Sequence, residues 1–163
     1  MDTTGSVFLS HSVKKLEQMV SHLDVCLAKL SEDQIWSRGA EHENSVGNLI
    51  LHLCGNARQW ILHGVGGEPD VRKRDAEFAL DSAMPLAALK DHLRSTVNQS
   101  IAVIRNLPEE RLTEKTTPQH DEVFVLGAIY QVVGHFQQHT GQIIYATKQM
   151  VSEGLGIYVP PKK

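Results

Sequence analysis

Four stretches of this chain place apolar residues three and four apart for long enough to fix its fold class. In the first, from about Val7 to Leu30, Leu9, Val13, Leu16, Met19, Leu23, Cys26 and Leu30 fall on one side of a helix. The second runs from about Ser45 to His63, with Asn44 and Ser45 as N-cap residues and Gly64, Gly66 and Gly67 as its stop. Ser82 and Pro85 open the third, which carries Leu86, Leu89, Leu93, Val97, Ile101 and Ile104 and ends near Leu107. The fourth spans about Val123 to Ser152, and no segment alternates in the manner of a half-buried strand. Amphipathic helices of about 19 to 30 residues predict an all-α four-helix bundle. The link GGEPDVRKRDAEFALDSAMP between the second and third helices is long. Bundles usually join neighbours with about two to eight residues, so one crossover connection is expected.

At 163 residues the chain is expected to form a single domain over 1–163, large enough to bury a core without disulfide staples. Cys26 and Cys54 sit among apolar residues and read as buried, reduced thiols. A formal net charge of −3 gives no basis for a nucleic-acid or anionic-membrane partner. The start, MDTTGSVFLSHSVKKL, lacks the basic and apolar regions of a secretory signal. The uncharged run from Val123 to Thr147 is long enough to span a bilayer, but Gln131, His135, Gln138, His139 and Gln142 interrupt it. A cytoplasmic location without a membrane partner is the expectation.

Within that run, HFQQHTGQI places His135 and His139 four residues apart, about 40° around the helix. Gln131 and Gln142 lie on the same side. Such a pair brings two imidazoles toward one ion, although by itself this spacing is more often a hydrogen-bonded or surface accident. A third candidate lies in the second helix. Around His52, a narrow seam of Ser45, Asn48, Asn56, Gln59 and His63 is flanked by leucines and Trp60. Two readings stand: a polar site facing the bundle interior, or a solvated stripe on a helix packed on both sides.

Taken together, His52, His135 and His139 form a three-histidine ligand set suited to Zn²⁺, Ni²⁺ or Fe²⁺. Three protein ligands and an open position are the catalytic pattern, whereas structural zinc sites are usually closed by four. Asn48, Asn56 and Gln142 are the candidates for orienting the rings or contacting a substrate. Phe136 follows His135, so the glutamate of an HExxH protease is missing and peptide hydrolysis is disfavoured. The RKRD stretch, Arg72 to Asp75, reads as a solvated turn compensated by Asp75 and Glu77 and anchored by Phe78; an arginine there could instead bind a substrate carboxylate. His11, His22, His42, His92 and His120 read as surface residues, and His63 as a helix-end histidine. No glycine-rich phosphate loop, GxSxG elbow or carboxylate pair is present.

Three stretches, NSVGNLILHLCGNARQWI (44–61), RKRDAEF (72–78) and VGHFQQHTGQIIYATKQ (133–149), resemble the DinB-like proteins of the DinB/YfiT superfamily. The resemblance implies an up-down-down-up four-helix bundle holding a divalent metal through His52, His135 and His139. It also implies a low-molecular-weight thiol as cosubstrate, as in S-transferases and maleylpyruvate isomerase, and a homodimer. The expected function is therefore metal-dependent thiol S-transfer or isomerisation of a small electrophile. Two alternatives remain at this point: a non-catalytic metal-binding or interaction module, and a bundle whose histidines are merely hydrogen-bonded in its core.

Overall fold

The computed structural model describes residues 2–79 and 84–157. It is mostly helical: α1 (Thr4–Lys29), α2 (Glu32–Trp36), α3 (Val46–Ala57), α4 (Arg74–Ala79), α5 (Leu86–Arg105) and α6 (Val125–Met150). A π-helical turn, Arg58–His63, prolongs α3. A 3₁₀ turn, Glu109–Thr113, leads into a two-residue antiparallel ribbon, in which β1 (Lys115–Thr116) pairs Lys115 with Phe124 and Thr116 with Val123 of β2 (Val123–Phe124). The apolar stripes set the packing. α1 lies along α5 and α6, and α3 lies along the same two helices. Leu23, Leu27, Ile50, Leu53, Leu93, Ile129 and Phe136 meet in the core between them, essentially without solvent contact.

Helix starts follow local chemistry. Thr3, Ser31 and Ser45 each accept from the backbone N–H three residues on, and the side chain at that third position returns to the cap, which satisfies otherwise orphaned donors. α2 was not expected; it folds because Ser31 caps it and Ile35 and Trp36 are buried. The Trp36 ring lies flat on Gly47, where a Cβ would come within 2.5 Å of it. The expected crossover link holds a short helix, α4, which packs on α3. Ser82, expected to help open α5, falls outside the described residues; α5 begins directly after Pro85. Among the described residues the only strands are those of the β1–β2 ribbon, too short to show any periodicity.

α3 is buried along nearly its whole circumference, from Val46 to Cys54 without exception. That decides between the two readings of its polar seam. Ser45, Asn48, His52 and Asn56 are 0–8% exposed, so this part of the stripe faces the interior, whereas Gln59 and His63, in the π-helical turn, are half-buried. Cys26 and Cys54 are buried free thiols. Burial pushes the Cys54 thiol up to about 12.

Candidate metal centre

His52 comes from the middle of α3, and His135 and His139 from successive turns of α6. α6 presents both rings because Phe136, between them in sequence, turns into the core and fixes the helix rotation. The ring centroids are 4.8 Å apart for His52 and His135, 5.2 Å for His52 and His139, and 4.4 Å for His135 and His139. One nitrogen from each ring lies within 4.8 Å of the other two, so the three form a donor set that could hold one metal ion.

Two of the three donors, His135 and His139, are in the protonation state a metal requires. Burial, reinforced by the neighbouring His139 and His52 rings, pushes His135 down to about 4. Burial also lowers His139, against an opposing hydrogen bond to Gln142. Both rings are neutral at pH 7, and a neutral imidazole is the ligand form. The His139 Nδ1 lies 2.6 Å from Gln142 Oε1, which can only accept, so Nδ1 carries the proton and Nε2 is left bare. His52 Nδ1 is 2.9 Å from Glu77 Oε2, and the same reasoning leaves its Nε2 bare. His135 Nε2 is buried and has no hydrogen-bond partner among the described residues. A buried polar atom without a partner is costly, and a ligand at that atom relieves the cost. The residues fit a divalent ion.

Two residues of this arrangement were misread in the sequence. Arg72 and Glu77 were expected in a solvated turn, but their side chains are 4% and 9% exposed and pair at 2.7 Å. Burial alone would raise the Glu77 carboxyl; hydrogen bonds from Arg72 and His52 outweigh it and hold the group below the usual carboxylate range. The one available signal was an acid five residues after an arginine in a link too long to be mere connection. Phe78, expected as the loop anchor, has its ring centroid 4.9 Å from that of His52, and Arg74 stacks over it at 5.2 Å.

The three amide candidates have different surroundings. Gln142 meets His139 directly. Asn48 instead holds the strap that carries Glu77, donating to the Glu77 carbonyl at 3.0 Å and accepting from Arg38 at 2.7 Å. Asn56 is buried, and its Oδ1 has no hydrogen-bond partner among the described residues. Among the histidines read as surface residues, His92 is half-buried and lowered by that burial, which corrects its reading; His11, His42 and His120 are exposed.

The fold is that of solved DinB-like proteins. The chain belongs to a DinB-like family, DUF1572, described as a protein of unknown function, whose model matches residues 3–162. Solved structures agree on the fold. A DinB-like protein from Bacillus cereus ATCC 10987 superposes with a TM-score of 0.67 at 18% identity, over 90% of this chain and 94% of that one. The mycothiol-dependent maleylpyruvate isomerase does so with a TM-score of 0.67 at 17% identity, over 83% of this chain but 60% of its own. A curated 2-C-methyl-D-erythritol 4-phosphate cytidylyltransferase from Dehalococcoides mccartyi (strain CBDB1) is 27% identical over 154 residues, 91% of this chain and 65% of that protein. The chain thus spans less than two thirds of that relative's length.

Proposed function

We propose that this chain is a divalent-metal-dependent enzyme that uses a low-molecular-weight thiol to transfer to, or isomerise, a small electrophile. His52, His135 and His139 would hold Zn²⁺, Ni²⁺ or Fe²⁺ through their Nε2 atoms. The observation that carries this reading is the buried Nε2 of His135, without a hydrogen-bond partner among the described residues, beside two rings whose other nitrogens are already engaged. A bound divalent ion supplies positive charge that keeps a thiol sulfur ionised at neutral pH. The protein's own part is to orient the rings and to shape the approach. Gln142 fixes His139 and also lines a groove of about 590 Å³ with Asn44, Leu49, Tyr145 and Gln149. On the other side Gln59, Arg72 and Arg74 line a cleft of about 420 Å³. Each cavity shares one residue with the site: Gln142, which meets His139, and Arg72, which lies 3.3 Å from His52 Nδ1. Arg74 stacks on Phe78 and has no carboxylate partner among the described residues, which suits an electrophile bearing a carboxylate.

The name of the cytidylyltransferase relative does not give a second reading. Among the described residues, the glycines at 64, 66 and 67 follow a helix and do not open one, as a phosphate cradle would require. For the whole molecule we take the helix path to be up-down-down-up within one domain, the assembly to be a homodimer and the location to be cytoplasmic. No described helix is long and apolar enough to cross a membrane. The test is a screen of zinc-, nickel- and iron-loaded protein with cysteine-derived thiols against small electrophiles, followed by thiol consumption. Metal-dependent turnover that His139→Ala abolishes is the expected result. A protein that binds metal but consumes no thiol with any electrophile would favour a non-catalytic metal module.

A further inference from the structure

The crossover segment 70–78 does more than connect α3 to α5. We propose that Glu77, clamped between Arg72 and Gly55, positions His52 for its ligand by fixing which ring nitrogen carries the proton. The inference rests on the metal reading above and adds residues which that reading does not need for its donor set.

A neutral imidazole carries its proton on either nitrogen, and only the unprotonated one can bind a metal. For Nε2 of His52 to be the donor, its Nδ1 must hold the proton. Glu77 Oε2 lies 2.9 Å from Nδ1 and, as a carboxylate, can only accept. Arg72 Nη2 also lies 3.3 Å from Nδ1, but its shorter bond, at 2.9 Å, goes to the same Glu77 oxygen. Arg72 Nε adds a second bond to Glu77 Oε1 at 2.7 Å. This two-pronged contact fixes the plane of the carboxylate and favours its ionised form. Carboxylate, histidine and metal in line are the arrangement that orients a ligand ring and raises its basicity.

Three further contacts hold the clamp itself. Arg72 Nη1 donates to Gln59 Oε1 at 2.9 Å, and Gln59 Nε2 donates to Asp70 Oδ2 at 2.8 Å, which ties the strap to the π-helical turn after α3. Asn48 donates to the backbone carbonyl of Glu77 at 3.0 Å. Gly55 provides the floor. A Cβ at that position would overlap Glu77 Oε1 and lie 2.7 Å from its Cδ and 3.1 Å from Arg72 Nε. His52 is therefore treated differently from its two companions. Among the described residues, His139 meets the neutral amide of Gln142 and His135 Nε2 has no hydrogen-bond partner.

The test combines zinc titration against a chromophoric chelator with ¹⁵N NMR of the histidine rings in metal-free protein. Wild type is expected to show His52 protonated at Nδ1 before any metal is added. Glu77→Gln and Gly55→Ala are each expected to weaken zinc affinity by about 10- to 100-fold and to leave His52 a mixture of tautomers, with helical content unchanged. Gly55→Ala alters no polar group, so its effect reports the placement of the Glu77–Arg72 pair. Two results would overturn the inference: a metal-free wild type with His52 protonated at Nε2, or variants that bind zinc as tightly as wild type. A wild type that takes up no metal would overturn the metal reading instead, and the tautomer measurement would still judge the part played by Glu77.

Discussion

At the scale of single residues, burial keeps the His135 and His139 rings of the site neutral. His135 shows this in the metal-free protein. Its folded value, about 4, lies below the ordinary 6.5, so as pH falls the unfolded chain takes up this proton first. The stability this neutral ring allows is full above pH 6.5 and is lost as pH falls toward 4. Urea denaturation of metal-free protein at pH 7 and pH 4.5 should differ by roughly 2 kcal/mol from this ring, and His135→Asn should remove that part of the difference. Cys54 makes the complementary case. With its thiol pushed up to about 12 and fully buried, it should resist iodoacetamide at pH 8 in the folded protein and react once urea is added. Alkylation of the folded protein at the rate of a free thiol would contradict the packing around α3.

Elements translate those residue-level demands into a fold, and here the sequence was legible to different depths. The long helices could be read because their stripes recur over many turns; α1, α3 with its π-helical extension, α5 and α6 lie where the apolar spacing places them. His135 and His139 could be paired because both lie on one helix at a spacing that geometry fixes. The link between α3 and α5 could not be read in this way. Arg72 and Glu77 look like ordinary surface charges, and only their burial against Gly55 gives them a role. Local sequence carries no sign of a contact made between segments about twenty residues apart. Trp36 is a similar case, since its partner is the missing side chain of Gly47. Gly47→Ala should therefore destabilise the protein by about 1–3 kcal/mol despite its better helix propensity, because the new methyl group strikes the indole ring. Thermal melts that show stabilisation would mean that Trp36 can move aside freely.

For the whole molecule, a metal ion held by the three histidines would make binding and folding one equilibrium. The donors belong to α3 and α6, which are far apart in sequence and meet only in the folded state. An ion that binds only this state stabilises it by mass action, about 2.7 kcal/mol at a hundredfold excess over Kd. For a domain of this size that is a rise in Tm of roughly 5–10 °C. The rise should vanish in His52→Ala, whose metal-free melting should otherwise show a single cooperative transition. The most direct measurement is equilibrium dialysis of metal-free wild type and His135→Ala against zinc, with metal content read by mass spectrometry and helicity by circular dichroism. Three histidines acting as one donor set predict about one ion per wild-type chain and far less in the variant, at equal helicity. Equal metal content in the two proteins, or none in wild type, would contradict it.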